Sequence, residues 1–244
     1  MPCHALSLLF VETRYNKCMI PFKDDNPTRT FPFITIVFIA LNIFIFFLQI
    51  TSSTDARDLV YFYGAIPHFL LTFSTNQPIN PLGTVFTSMF MHGSLLHIGT
   101  NMLFLWIFGN NIEDQLGHFK FIIFYLLCGV LAAYSHALAG PSSMIPMIGA
   151  SGAVSGVLGA YLLLFPKARV HTLIFLGFFI QVVRLPAVFV IGFWIVIQFI
   201  NGLVSKGAAD HGGVAWFAHI GGFIAGMILI RLLISRKRRI YYPH

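Results

Sequence analysis

Six long runs of the sequence are almost free of charged side chains, and they restrict the chain to a small set of folds. Each is close to the roughly 20 apolar residues that a helix needs to cross about 30 Å of hydrocarbon. The runs are Phe31–Thr51, Val85–Asn110, Phe119–Ala139, Ile148–Phe165, Leu185–Val204 and Val214–Ile234. They do not alternate between polar and apolar residues as barrel strands do, so we expect each run to be a helix.

The composition supports a membrane protein. Of the 244 residues, 57% are hydrophobic and 9% charged, and a water-soluble domain could not bury so much apolar surface. We therefore predict an all-α fold, a polytopic bundle of six transmembrane helices. With no linker or internal repeat dividing the runs, we expect one membrane domain at 31–234, an N-terminal cytoplasmic segment at 1–30 and a basic cytoplasmic tail at 235–244.

The basic residues indicate the orientation of the bundle. If the N-terminus is cytoplasmic, only Arg57 and Lys206 of the 15 Lys and Arg residues lie on the outer side. This asymmetry favours both termini inside, and it explains the net charge of +7 without a nucleic-acid partner. Met1–Val11 is too short and lacks the basic start of a secretory signal, so we expect no cleaved signal peptide. A bacterial inner membrane fits these features, with an organellar membrane as the alternative.

Several polar side chains lie within the apolar runs, where each requires an explanation. His92, His97 and Asn101 belong to the second run, Ser151 to the fourth and His219 to the sixth. These three runs cross the membrane in the same direction, so their first halves should lie at similar depth. His97 and Asn101 are four residues apart and should project from one helix face, whereas His92 should point elsewhere.

Small residues link the fourth and sixth runs. The fourth contains a stripe of glycines, at positions 149, 152, 156 and 159, and the sixth repeats part of that spacing with His219, Gly222 and Gly226. Such stripes permit close approach of two helices. We expect the two runs to pack together and to bring His219 to the seam beside Ser151.

This arrangement suits acyl transfer. A serine hydroxyl requires an adjacent base, and His219 is the candidate base for Ser151. No Asp or Glu lies inside a run, so we predict a Ser/His dyad without a carboxylate. The side chains of His97 and Asn101, with the Ser151 N–H, can form an oxyanion hole, and Gly149 lets a substrate backbone come close. His97 lies about 12 residues into its run, roughly 18 Å, so that helix should tilt or project.

The chain resembles the rhomboid intramembrane serine proteases over nearly its whole length, from about Met19 to Arg239. The resemblance rests on four segments in order, which are His92–Asn101, Phe108–Gly117, Gly149–Gly152 and Ala218–Gly222. It implies a six-helix core that cleaves transmembrane protein substrates near the outer membrane face, with no metal or cofactor. It also implies Ser151 as nucleophile, His219 as base, and His97 and Asn101 at the oxyanion.

Two positions depart from the pattern of some family members. Gly83 and Thr84 stand where those members have Trp and Arg, so the packing of the outer loop at 52–83 cannot be transferred. Ser155 stands where they have a Tyr that stacks beneath the catalytic histidine. Local hydrogen bonding to its own helix is the expected role of Ser155, which leaves the support of the His219 ring unassigned.

Two other functions compete with proteolysis. A catalytically silent relative could recognise or escort membrane proteins through the same groove, although such inactive relatives have lost the serine or the histidine. A metal or haem protein could use His92, His97 and His219, but the chain has no HExxH motif. The three cysteines, at 3, 18 and 128, have no CxxC spacing, and Cys128 is expected to be a packing residue.

Overall fold

The computed structural model describes residues 17–74, 76–176, 179–205 and 214–234. The predicted basic tail, Lys206, Cys3 and the start of the N-terminal segment lie outside these residues. Ten helices and three strands are described. The helices are α1 Phe33–Thr51, α2 Ala56–Tyr63, α3 Pro67–Thr72, α4 Pro81–Ser88, α5 Leu95–Phe104, α6 Asn110–Leu116, α7 His118–Ala139, α8 Ser151–Leu164, α9 Ala187–Ser205 and α10 Trp216–Leu233.

The prediction of a six-helix membrane bundle is confirmed. Four of the described helices, α1, α7, α9 and α10, are long and apolar enough to cross a membrane, and α8 is a shorter apolar helix. The second span consists of α5, a π-helical turn at Leu105–Gly109 and α6, which follow one another without a break. The short helices α2, α3 and α4 belong to the connection between the first and second spans.

The second span begins later than predicted. Residues 89–94 are not helical, and Val85 belongs to α4. The Ser94 hydroxyl accepts a hydrogen bond from the N–H of His97 at 3.1 Å and so caps the new helix. His97 therefore lies in the first turn of α5, and the expected tilt or projection of an 18 Å helix segment is not needed.

Two connections on the same side of the bundle are joined by backbone hydrogen bonds. Ala65, between α2 and α3, exchanges two such bonds with Met147, at 3.0 and 2.8 Å. The N–H of His68 donates to the carbonyl of Ser143 at 3.1 Å. The segment at 140–150, which leads into α8, is thus held against the loop helices by backbone hydrogen bonds.

A three-stranded antiparallel sheet, which the sequence reasoning did not predict, joins the N-terminal segment to the connection between the fourth and fifth spans. Its strands are β1 Lys17–Asp24, β2 Arg169–Leu176 and β3 Phe179–Pro186, in the order β1-β2-β3. Ile20 pairs with Leu173, and Thr172 pairs with Val183. Because four spans separate β1 from β2, their pairing requires both ends of that stretch to lie on one side of the membrane.

The centre of the bundle is formed by α7, α8 and α10. A β-carbon on Gly226 would overlap the backbone of Gly156, and one on Gly222 would overlap the carbonyl of Gly152, so α8 and α10 are in backbone contact. The predicted small-residue seam is present, except that Gly149 precedes α8 and is not part of the helical stripe. Cys128 is a buried free thiol that packs against Gly156, as predicted.

Glu113 ties the start of the first span to the end of the second. It is fully buried in α6, and its carboxylate accepts hydrogen bonds from the N–H groups of Ile34 and Thr35, both at 2.8 Å, and from the Thr35 hydroxyl at 2.7 Å. His118 Nδ1 lies 2.5 Å from the same carboxylate. The sequence reasoning placed this acid outside the span. It lies roughly 24 Å along the helix from His97, since each residue adds about 1.5 Å.

Candidate active site

Ser151 is the first residue of α8, and the turn before it depends on glycine. Gly149 has a φ of +124°, a conformation that L side chains rarely adopt, and its N–H donates to the Ser88 carbonyl at 2.8 Å. Ala150 then forms the N-cap of α8. This geometry places the Ser151 side chain and its N–H at the positive end of a helix dipole.

His219 lies in the first turn of α10, directly opposite Ser151. Its Nε2 is 2.8 Å from Ser151 Oγ, within hydrogen-bond distance. The close contact of α8 and α10 along their glycines explains why residues so far apart in sequence meet here. The structure thus brings together the two side chains that the sequence reasoning paired.

The other ring nitrogen of His219 has a partner that the sequence reasoning missed. Nδ1 lies 2.6 Å from Oε1 of Gln198, a buried residue of α9. Two tryptophans flank the ring. Trp194 lies at a centroid distance of 5.9 Å with an interplanar angle of 35°, and Trp216 at 6.1 Å with an angle of 90°. An amide in a largely apolar span was the available signal for Gln198.

Ser155 does not support the His219 ring. Its hydroxyl donates to the carbonyl of Ser151, one turn back in the same helix, at 2.6 Å. This is the local hydrogen bond expected from the sequence. The contacts of the His219 ring come instead from residues of α9 and α10.

His97 and Asn101 line the other side of Ser151 from consecutive turns of α5. Asn101 Nδ2 is buried, and no described residue accepts a hydrogen bond from it. The N–H of Gly93 makes a weak 3.5 Å contact with His97 Nδ1, which leaves the proton of a neutral His97 on Nε2. Both side chains therefore offer N–H donors beside Ser151.

A small cavity connects these groups. It is lined by Ser151, His219, His97 and Asn101, together with Thr100, Phe104, Val154, Ser155, Leu158 and Trp194. About 20 Å³ is open to the centre of a water-sized sphere, which is sufficient for one water molecule. The cavity can therefore admit a hydrolytic water next to the serine.

His92 lies close to the site, contrary to the prediction that it points elsewhere. Residue 92 is in the non-helical segment before α5, so helix periodicity does not apply to it. Its ring is buried 5.0 Å from that of His97, and its Nε2 lies 3.5 Å from the N–H of Ala150. Gln49 of α1 holds its backbone with two hydrogen bonds, at 3.1 and 3.3 Å. His92 thus supports the turn that precedes Ser151.

The described part of the chain offers no cluster of three His, Cys, Asp or Glu side chains that could hold a metal ion. Its histidines near Ser151 are instead engaged with backbone groups, with Gln198 or with Ser151. The alternative in which His92, His97 and His219 hold a metal therefore lacks support in these residues.

Residues 80–236 match the profile of the Rhomboid domain. The chain is 30% identical over 142 residues to "Rhomboid protease GluP" of Bacillus subtilis, an alignment that covers 58% of this chain and 25% of that protein. It is 29% identical over 150 residues to "Rhomboid protein 1, mitochondrial" of Saccharomyces cerevisiae, covering 59% and 40% of the two chains.

A third relative has a similar degree of likeness. The chain is 31% identical over 145 residues to "Presenilin-associated rhomboid-like protein, mitochondrial" of Bos taurus, covering 58% of this chain and 35% of that protein. The aligned region thus spans less than half of each of these three relatives. One of them is bacterial and two are named mitochondrial, so they do not support a bacterial inner membrane over an organellar one. The long apolar helices of the chain support an integral membrane protein.

Proposed function

Since this chain belongs to the rhomboid family, we propose that it is an intramembrane serine endopeptidase that hydrolyses peptide bonds in or near transmembrane segments of membrane proteins. The observation that carries the proposal is the 2.8 Å contact between Ser151 Oγ and His219 Nε2, two side chains from different helices at the same membrane depth. A hydroxyl hydrogen-bonded to an imidazole is the arrangement that activates a serine nucleophile.

In the first half of the reaction Ser151 attacks the substrate carbonyl carbon. His219 Nε2 takes the hydroxyl proton as the Oγ–C bond forms, and the carbonyl oxygen becomes an oxyanion. His219 then gives this proton to the departing amine when the C–N bond breaks. The product of this half is an ester between Ser151 and the N-terminal part of the substrate.

The oxyanion is assigned to the donors beside Ser151. These are the side chains of His97 and Asn101 and the N–H of Ser151 at the start of α8, which carries a favourable helix dipole. The buried Nδ2 of Asn101 supports the assignment, because no described residue uses this donor in the resting protein. Gly149 keeps the space above Ser151 free of a side chain.

The second half requires water. A water molecule in the cavity between Ser151, His97 and His219 loses a proton to His219 Nε2 and attacks the ester carbon, and the proton returns to Ser151 Oγ as the ester bond breaks. The net reaction is hydrolysis of one peptide bond, and the dyad is regenerated.

We assign residues 31–234 to the membrane domain, with 1–30 and 235–244 on the cytoplasmic side, where the Lys and Arg residues of membrane proteins are enriched. The loop helices α2–α4 and the entrance to the site then lie on the opposite side. Substrates would be membrane proteins whose transmembrane segment exposes a peptide bond at the depth of Ser151. Their cleavage should therefore be measured in a lipid bilayer.

The test uses detergent-solubilised protein and a fluorophosphonate probe. We expect covalent labelling of the wild type and loss of labelling in Ser151→Ala and His219→Ala. Labelling that persists in Ser151→Ala would contradict the assignment of the nucleophile. Thermal unfolding of each variant checks that the loss does not result from misfolding.

A second assay separates the protease from a silent binding protein. The wild type, reconstituted in vesicles, should cleave a single-span model substrate, and a metal chelator should not reduce the rate. Ser151→Ala should still bind the substrate and leave it intact. Binding without cleavage by the wild type would favour the silent relative.

A further inference from the structure

Gln198 is placed to determine which nitrogen of His219 carries the proton. Its Oε1 lies 2.6 Å from His219 Nδ1, and both side chains are almost completely buried. An amide oxygen can only accept a hydrogen bond, so Nδ1 must be the protonated nitrogen when the two face each other. Nε2 is then left with a free lone pair, and it is Nε2 that faces Ser151 Oγ at 2.8 Å.

With the Gln198 amide reversed, His219 could not act as the base. If the amide of Gln198 presented its NH₂ group, Nδ1 would have to accept, and the proton of neutral His219 would move to Nε2. Nε2 could not then accept the Ser151 hydroxyl proton. Only the orientation with Oε1 towards the ring leaves Nε2 able to accept the Ser151 hydroxyl proton.

The other groups near His219 do not determine which of its nitrogens carries the proton, so the contact with Gln198 is important. Glu113, the buried carboxylate of the second span, binds α1 and His118 instead of this ring. The titratable groups that interact with His219 are His97 of α5 and His136 of α7, and neither can orient it as an anion would. The tryptophans restrict the ring plane but leave both nitrogen assignments open, because indole does not distinguish them by stacking.

We propose that Gln198 is the positioning residue of the catalytic unit, an uncharged counterpart of the carboxylate in a serine protease triad. It holds the His219 ring and selects the tautomer with the proton on Nδ1. This inference rests on the proposed function. It also implies that the imidazolium formed during catalysis is stabilised by a neutral dipole instead of an ion pair, since Gln198 carries no charge.

Two substitutions separate acceptance of the hydrogen bond from filling of space. Gln198→Met keeps a similar length and volume but removes the acceptor, and Gln198→Glu keeps an acceptor. We expect Gln198→Met to lower kcat on the order of 10-fold to 100-fold with KM little changed, a part of the roughly 10²-fold to 10⁴-fold contributed by general-base catalysis. Gln198→Glu should retain more activity than Gln198→Met.

The pH profile provides a readout that a purely structural role would not move. A carboxylate at 198 stabilises the imidazolium, so the acidic limb of kcat/KM in Gln198→Glu should shift to higher pH than in the wild type. Phe199→Leu, at the neighbouring exposed position of α9, is the matched control and should keep the wild-type profile. The pH profile is measured from pH 5 to 9 by cleavage of the model substrate in vesicles, for the wild type, Gln198→Met, Gln198→Glu and Phe199→Leu.

The outcomes distinguish this inference from the function on which it rests. Absence of fluorophosphonate labelling in the wild type would contradict the proposed protease function. The role of Gln198 would be overturned if Gln198→Met kept the wild-type kcat, or if Gln198→Glu were no more active than Gln198→Met. Neither result would contradict the dyad of Ser151 and His219. If Gln198→Met does not fold, the comparison of Gln198→Glu with the wild type decides, and an unshifted profile counts against the proposal.

Discussion

Gly149 faces the imidazole of His97 so closely that a β-carbon at residue 149 would lie 2.7 Å from His97 Nε2. The same glycine has a φ of +124°. We expect Gly149→Ala to displace the proposed oxyanion donor and the turn before Ser151, and so to lower the rate of fluorophosphonate labelling by about 100-fold or more. Gly99→Ala is the control, because a β-carbon there meets no atom within 4 Å. Equal labelling of both variants would contradict the role given to Gly149.

Asn101 allows activity to be separated from stability. Its Nδ2 is buried, and no described residue accepts a hydrogen bond from it, so replacement by an apolar side chain of similar size removes an unpaired donor. Asn101→Leu should unfold at a temperature equal to or above that of the wild type. Its kcat should fall about 10²-fold to 10³-fold, the usual effect of losing an oxyanion donor. A parallel loss of stability and activity would instead assign Asn101 to packing.

Gly226 should tolerate no side chain. Its β-carbon would overlap the carbonyl of Gly156, which is backbone and cannot rotate away. We expect Gly226→Ala to lower the free energy of unfolding by about 2 kcal/mol or more. Gly192→Ala, in α9, has open space around its β-carbon and should be neutral or slightly stabilising. Thermal unfolding of the detergent-solubilised variants measures the difference.

Glu113 should contribute more to stability than any single partner that it binds. Glu113→Ala leaves the buried N–H groups of Ile34 and Thr35 unpaired and removes charge-assisted bonds, so we expect a loss of about 3 kcal/mol or more. Thr35→Val removes only the hydroxyl bond and should lose about 1 kcal/mol. Similar unfolding temperatures for the two variants would show that the carboxylate does not anchor the first span.

Asp24, at the end of β1, should make stability depend on pH. Burial raises the pKa of this carboxyl to about 6, while hydrogen bonds from Tyr161 and Asn111 stabilise its charged form. Because the folded pKa lies above the ordinary value of 3.8, its stabilising contribution is complete below about pH 4 and is lost as the pH rises through about 6. The wild type should therefore lose more stability than Asp24→Asn between pH 4.5 and 7, measured by thermal unfolding. Parallel changes would contradict the raised pKa.

The sequence was sufficient to predict the six spans, the seam of small residues and the approach of His219 to Ser151. Each follows from a strong regularity, because a bilayer imposes the length of a span and glycine spacing imposes close helix contact. The same regularity misled the prediction for the second span. Hydrophobicity continues through residues 89–94, so the break before α5 depends on the Ser94 cap and on contacts of residue 92 with Gln49.

The sheet and the contact of Gln198 with His219 were not predicted, because each depends on a partner that is distant in the sequence. Residues 17–24 and 169–186 lie outside the spans, and nothing local indicates that β1 pairs with a segment beyond four spans. Gln198 is one of two amides in α9, the other being Asn201, and its role becomes visible only when the rotation of α9 relative to His219 is known. Tertiary geometry, which periodicity does not contain, determines both.

The pairing of β1 with β2 also bears on how the protein is made. At roughly 5–20 residues per second, about 145 residues are synthesised between the end of β1 and the start of β2, which takes on the order of 10 to 30 seconds. During this interval the first strand has no partner and four spans enter the bilayer. Closure of the sheet is then a late step of biogenesis, and any machinery that acts on the nascent chain meets residues 17–24 as an open strand.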